Sequence, residues 1–172
     1  MDRVAKFEKV SFEEYYKAMK PLLPSDWTDD EIRTSWEDIE LPTRATSGSA
    51  GYDFYAPVGF TVSPGHPVLV PTGIRAKIEP GWFLMCLPRS GLGFKHGVSL
   101  ANTAGVIDSD YYFSDNEGHI MAKVCSRSEV EVEYGHKFMQ GIFLPFGITE
   151  NDCASETRNG GFGSTDKEAN DA

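Results

Sequence analysis

Pro88-Arg89-Ser90-Gly91 places a guanidinium, a hydroxyl and an unhindered backbone N–H together directly after an apolar run, a set suited to cradling phosphate. Gly105-Val106-Ile107-Asp108-Ser109-Asp110-Tyr111 ends an apolar strand on two carboxylates and a phenol. A carboxylate held at a strand end can act as general base on a water. Gly135-His136-Lys137-Phe138-Met139-Gln140 opens the last long apolar stretch with polar side chains that, taken alone, read as surface. Arg158-Asn159-Gly160-Gly161-Phe162-Gly163-Ser164-Thr165 sets one aromatic among glycines, hydroxyls and an arginine. A ring of that kind can stack on a base, for about 1–3 kcal/mol by analogy with single-strand binders. Glycine N–H groups, hydroxyls and a guanidinium can wrap phosphates. Each of the first three segments, by itself, also fits a solvated turn or surface; the last reads as a lid for a nucleotide.

The rest of the chain must position these groups. Residues 1–40 read as a helical extension without chemistry of its own. Ser11-Phe12-Glu13-Glu14 is a capping box leading into Tyr15 to Lys20, closed by Pro21 and Pro24. Thr28-Asp29-Asp30-Glu31 is a second box, leading a helix with Ile32, Trp36 and Ile39 at helical spacing. After Leu41-Pro42 the texture changes to short apolar runs broken by Gly and Pro. Gly51 to Ala56, Pro67 to Pro71, Gly73 to Ile78, Trp82 to Leu87, His119 to Val124 and Lys137 to Phe146 are the expected strands. Turn signals about every ten residues point to an all-β sandwich or barrel over 41–150. Residues 151–172 are expected to form a flexible arm, because the Gly, Ser and charge of its end cannot build core.

Composition narrows the function. The 172 residues suit one domain with a real core, and 40% hydrophobic residues is a globular composition. A formal net charge of −10 disfavours duplex nucleic acid as a partner, although a few arginines and a metal can still gather an anionic small molecule. Neither a membrane span nor a signal peptide is expected, so the protein reads as cytoplasmic. Three cysteines, Cys86, Cys125 and Cys153, have no spacing for a disulfide framework or zinc site, and Cys86 reads as a buried thiol. A Gly-x-x-x-x-Gly-Lys-Ser/Thr loop, a His-Glu-x-x-His helix, a Gly-x-Ser-x-Gly elbow and a Pro-Cys-x-x-Cys deaminase motif are all missing.

With Ala50-Gly51-Tyr52-Asp53-Phe54-Tyr55-Ala56 ahead of them, the four segments form five motifs whose order and spacing resemble the trimeric dUTPase family over roughly Leu41 to Thr165. The resemblance implies a jelly-roll, β-barrel-like subunit, a homotrimer with shared active sites, and hydrolysis of dUTP to dUMP and pyrophosphate. In that family the aspartate matching Asp108 deprotonates a water that attacks the α-phosphorus. The tyrosine matching Tyr111 lies under the deoxyribose and leaves no room for a 2′-hydroxyl. The hairpin of Asn102, Gly105, Val106 and Ile107 reads uracil, mostly with main-chain groups. Arg89, Ser90, Gly91, Gln140, Arg158, Ser164 and Thr165 match triphosphate contacts, and Phe162, beside Gly163, matches the ring that stacks on uracil. Asp53 supports the magnesium shell or the site architecture. No residue ligates Mg2+ directly; the triphosphate carries it, with water between metal and protein. These roles suit the chemistry, since attack at phosphorus needs charge neutralisation and an in-line water rather than a covalent nucleophile.

The chain departs from that pattern in three places. Only Asn159 separates Arg158 from the Gly pair. Tyr112 to His119 intervenes where many members continue directly with Gly, predicting a longer hairpin beside the site. The N-terminal helices are additional. Two competing readings use the same fold. A dCTP deaminase would carry Arg-Ser-Ser and a catalytic glutamate instead of Arg89-Ser90-Gly91 and Asp108. A nucleotide-sensing regulator would use the Tyr112–His119 hairpin to meet a protein partner.

Overall fold

The computed structural model describes residues 2–156 and is dominated by short strands. The chain runs β1 (Ala5–Lys9), α1 (Phe12–Met19), α2 (Asp29–Glu37), β2 (Thr43–Arg44), β3 (Tyr52–Tyr55), β4 (Phe60–Val62), β5 (Val68–Pro71), β6 (Ile74–Ile78), β7 (Trp82–Pro88), α3 (Ser90–His96), β8 (Ser99–Leu100), β9 (Gly105–Ile107), a 3-10 helix (Ser109–Phe113), β10 (Met121–Cys125), β11 (Val130–Val132) and β12 (Lys137–Pro145). Among the described residues no helix is long and apolar enough to cross a membrane.

The strands form four sheets: β1-β6, β5-β10-β8, β11-β4 and β2-β3-β12-β7-β9. Their inner faces share one core, in which Phe54, Val62, Leu84, Ile120, Val124, Phe138 and Met139 are at most 2% exposed. Burying side chains of this size stabilises by roughly 1.5–3 kcal/mol each. The all-β expectation therefore holds, and each of the six expected strands is present. Cys86 is buried as expected, which pushes its thiol up to about 12.

The first forty residues are not helical throughout. Ala5–Lys9 is a strand, paired antiparallel with β6 from Ala5 opposite Ile78 to Lys9 opposite Ile74. Phe7 meets Tyr52, Phe54 and Phe143 edge-on or tilted, at centroid separations of 5.4–5.6 Å. Helices α1 and α2 then fold back on the barrel, burying Tyr15, Met19 and Ile32. The Thr28 capping box forms fully, Thr28 accepting from the Glu31 N–H and Glu31 from the Thr28 N–H. The Ser11 box forms halfway: Ser11 accepts from the Glu14 N–H, but the Ser11 N–H donates to Glu117 Oε2 at 2.8 Å.

Two further short helices lie between the strands. The α3 segment carries two glycines, which hides it from a propensity reading. It ends at Gly97 with φ 64°, the left-handed conformation glycine supplies at a helix end.

Candidate active site

The five-stranded sheet sets the motifs side by side. Asp53 on β3 pairs in register with Gln140 on β12, which pairs with Leu87 on β7; Gly105 on β9 pairs with Cys86. Residues in one row share a face, so Asp53 and Gln140 point outward while Phe54, Gly141 and Leu84 point into the core. Gly51 supports this row, because a Cβ there would lie 2.8 Å from Gln140 Oε1. Gln140 Nε2 donates to the Pro88 carbonyl at 3.3 Å, joining the fourth motif to the second.

A bulge in β12 completes the polar end. Lys137 opposes Tyr55 and Met139 opposes Phe54, so Phe138 is the extra residue and both Phe138 and Met139 are buried. That shift moves Lys137 to the outer face, which strict alternation would deny it. Its Nζ donates to Asp53 Oδ2 at 2.9 Å, and Arg89 Nε pairs with Asp53 Oδ1 at 3.2 Å. The Asp53 side chain is 8% exposed, whereas those of Arg89 and Lys137 are 40% and 33% exposed. A buried carboxylate thus aims two cations toward solvent. Both its oxygens are engaged, so Asp53 fits the role of architecture better than that of a metal shell.

Arg89, Ser90, Gly91 and Lys137 line a cavity of about 680 Å³ together with Lys95 and His136. Among the described residues Glu131 is the one acid in the lining, so Arg89, Lys95 and Lys137 leave the basin net positive on a chain of net charge −10, which suits an anion. A cavity of about 780 Å³ lies between the N-terminal segment, Arg44, Tyr52 and Trp82, but none of the sequence-predicted site residues lines it. Lys137, Lys95 and His136 were not among those site residues. For Lys137 the readable signal was the adjacent apolar pair Phe138-Met139, which breaks alternation just before Gln140.

The third motif is built differently. β8 and β9 belong to different sheets, so the expected hairpin is reduced to a turn with an isolated Leu100–Thr103 bridge, carrying Asn102 and Thr103, both exposed. Thr103 has φ 68°, a strained conformation for a β-branched residue, and the turn is closed by Thr103 N–H to Leu100 O at 2.9 Å. Gly105 lies against Cys86, where a Cβ would stand 3.2 Å from the Cys86 Cβ; Val106 is 56% exposed and Ile107 is buried. Asp108 caps the 3-10 helix in extended conformation. Tyr111 within it is 3% exposed, a fixed wall rather than an open platform, and its hydroxyl donates to the His119 carbonyl at 2.8 Å.

Asp108 and Ser90 do not meet within one chain. Ile107 pairs with Leu84, and Ser90 lies six positions further along the same segment. At ~3.3 Å per residue that separation is on the order of 20 Å. Between them the outer face of β7 and β12 carries Phe83, Met85, Leu87, Ile142 and Leu144, each half-buried, beside Val106. Together they make a contiguous, half-buried apolar face on the outside of the sheet. Arg158, Phe162, Gly163, Ser164 and Thr165 lie outside the described residues.

The family model for dUTPase matches residues 37–166. The deoxyuridine 5′-triphosphate nucleotidohydrolase of Lactococcus lactis subsp. lactis (strain IL1403) is 40% identical over 142 residues, covering 78% of this chain and 95% of that protein. Its counterpart in Escherichia coli (strain K12 / DH10B) is 42% identical over 137 residues, 74% of this chain and 87% of that one. The crystal structure of dUTPase from Streptococcus mutans superposes with TM-score 0.61 at 34% identity, covering 84% of this chain and 98% of that chain. A mutant dUTPase from phage phi11 of S. aureus, which coordinates a structural Mg(II) ion, shares the fold at TM-score 0.58 and 17% identity, covering 70% of this chain and 92% of that chain.

Proposed function

Because the chain belongs to the dUTPase family, we propose that it hydrolyses dUTP to dUMP and pyrophosphate in the cytoplasm, at sites shared between the copies of a homotrimer. The observation that carries the shared site is the length of β7. The general base and the phosphate cradle stand at opposite ends of one strand, so a working site takes Asp108 from one copy and Ser90, Gly91 and Gln140 from another. The apolar outer face between them is the surface such an assembly would cover.

In this reading residues 41–150 form the catalytic core and residues 151–172 supply the closing arm. Asp108 takes a proton from a water directed at the α-phosphorus. Arg89 and the N–H groups of Ser90 and Gly91 hold the triphosphate, with Gln140 alongside. Asn102, Gly105, Val106 and Ile107 meet uracil, Tyr111 walls the deoxyribose, and Arg158, Phe162, Gly163, Ser164 and Thr165 close over the nucleotide. Lys137 adds positive charge, and Asp53 orients it together with Arg89. Magnesium would come with the triphosphate, since Asp53, the carboxylate beside the cradle, is already paired with Arg89 and Lys137. When bound, the ion would neutralise developing phosphate charge and keep several of its waters.

The test is pyrophosphate release by the purified protein with magnesium, offered dUTP, dCTP, dTTP and UTP in parallel. Release from dUTP alone supports both the reaction and the base and sugar readout. Tight dUTP binding without release would favour the sensor, and reaction with dCTP the deaminase. Truncation after Glu156 should depress turnover far more than the melting temperature.

A further inference from the structure

Between Tyr111 and β10 the chain makes a detour whose polar groups turn back onto Tyr111. Its hydroxyl donates to the His119 carbonyl at 2.8 Å and accepts from Asn116 Nδ2 at 2.8 Å. Asn116 Oδ1 in turn accepts from the Gly118 N–H at 3.3 Å. Gly118 has φ 71°, and a Cβ there would stand 2.8 Å from the Tyr111 carbonyl oxygen, so the detour lies directly on the backbone it follows. A phenol fixed as both donor and acceptor is anchored at its far end as well as at its Cα.

The detour is itself tied down by the N-terminal segment, at three points three residues apart. Glu8 Oε2 accepts from Tyr112 OH at 2.6 Å. Ser11 donates to the Glu117 carboxylate from its N–H at 2.8 Å and from its hydroxyl at 2.6 Å. Glu14 Oε1 faces His119 Nδ1 at 3.4 Å, while His119 Nε2 accepts from the Gly73 N–H at 2.8 Å. Arg75 stacks over the Tyr112 ring at 4.4 Å. The N-terminal segment and the Tyr112–His119 detour are therefore one unit. That unit closes on the turn holding Asp108 and Tyr111.

We infer that Asn116 is a positioning residue for Tyr111, with Glu117 tying it to α1, and that this unit sets how firmly the site rejects a 2′-hydroxyl. The inference rests on the reading of Tyr111 as the wall under the sugar. Steric exclusion works only while the wall cannot retreat, and displacement of about 1 Å at such a site can change rates about 10²-fold.

The experiment measures kcat/KM for dUTP and for UTP in wild type, Asn116→Asp, Asn116→Ala and Glu117→Ala, with melting temperatures alongside. Asn116→Ala removes the donor to Tyr111 outright, whereas Asn116→Asp keeps the shape and offers a carboxylate to which the phenol can turn its own proton. The dUTP-to-UTP ratio should fall about tenfold or more in Asn116→Ala, and by less in Asn116→Asp and Glu117→Ala. A general loss of structure would lower both rates together and leave the ratio unmoved. A folded Asn116→Ala with the wild-type ratio overturns the inference. A wild-type protein that hydrolyses no dUTP overturns instead the function on which it rests.

Discussion

The two ends of β7 are built on opposite principles. At the Pro88 end one buried carboxylate, Asp53, holds Arg89 and Lys137 while leaving a third or more of each cationic side chain open. At the Leu84 end the turn after Ile107 is held by buried polar groups: His119 is 0% exposed, Tyr111 3%, and their partners lie within the protein. Charge left in water is cheap to keep and ready to meet an anion. Polar groups taken out of water cost free energy unless they are hydrogen-bonded, and a satisfied network is rigid. One end is open to an anion, and the other is held still, as the proposed proton acceptor and sugar wall require.

Removing the proposed proton acceptor separates the two ends most sharply. Asp108→Asn should lower turnover about 10²–10⁴-fold while leaving dUTP affinity and melting temperature near wild type. Steady-state rates with equilibrium binding decide this, and undiminished turnover would remove Asp108 from its role. Next in size is Asp53→Asn, which leaves Arg89 and Lys137 without their orienting charge. Its kcat/KM should fall by up to about 10²-fold, mostly through KM, because misaimed cations weaken phosphate binding. Unfolding in denaturant should show a loss of about 1–3 kcal/mol.

Acid should attack the other end. Burial holds the His119 imidazole down at about 4 from an ordinary value of 6.5. Between those values the unfolded chain takes up a proton that the folded one refuses. Stability is therefore complete above pH 6.5 and is lost as pH falls toward 4, by about 3 kcal/mol at most. Glu14, whose carboxyl burial pushes upward, binds its proton more readily when folded and offsets part of this low in the window. Denaturant unfolding at pH 7 and pH 4.5 should show the decline, and His119→Gln should flatten it whatever its stability at pH 7. The smallest effect belongs to Ser114→Ala. The Ser114 hydroxyl is buried with no hydrogen-bond partner among the described residues, so its removal should leave the melting temperature unchanged or slightly raised.

What could be read from the sequence follows the range of the interactions. The Thr28 box was legible because its two partners are three residues apart. The Ser11 box misled because Glu14 is occupied by His119 and its place is taken by Glu117, 106 residues away. The strand β1 was missed because its five residues become a strand only by pairing with β6. In the site, Arg89, Ser90 and Gln140 were visible as motif residues. Lys137 was hidden because a bulge, not the residue type, turns it to the outer face. Asn116 was hidden because its partners, Tyr111 and Gly118, are joined by a turn rather than by a repeating pattern.

The stretch of chain from Leu84 on β7 to Ser90 at the start of α3 also has a genetic consequence. With sites shared as proposed, a chain lacking Asp108 and a chain lacking Ser90 are each inactive, yet their defects lie at opposite strand ends. In mixed assemblies some sites draw Asp108 from one parent and Ser90 from the other. Two null alleles of this gene, expressed together, would complement.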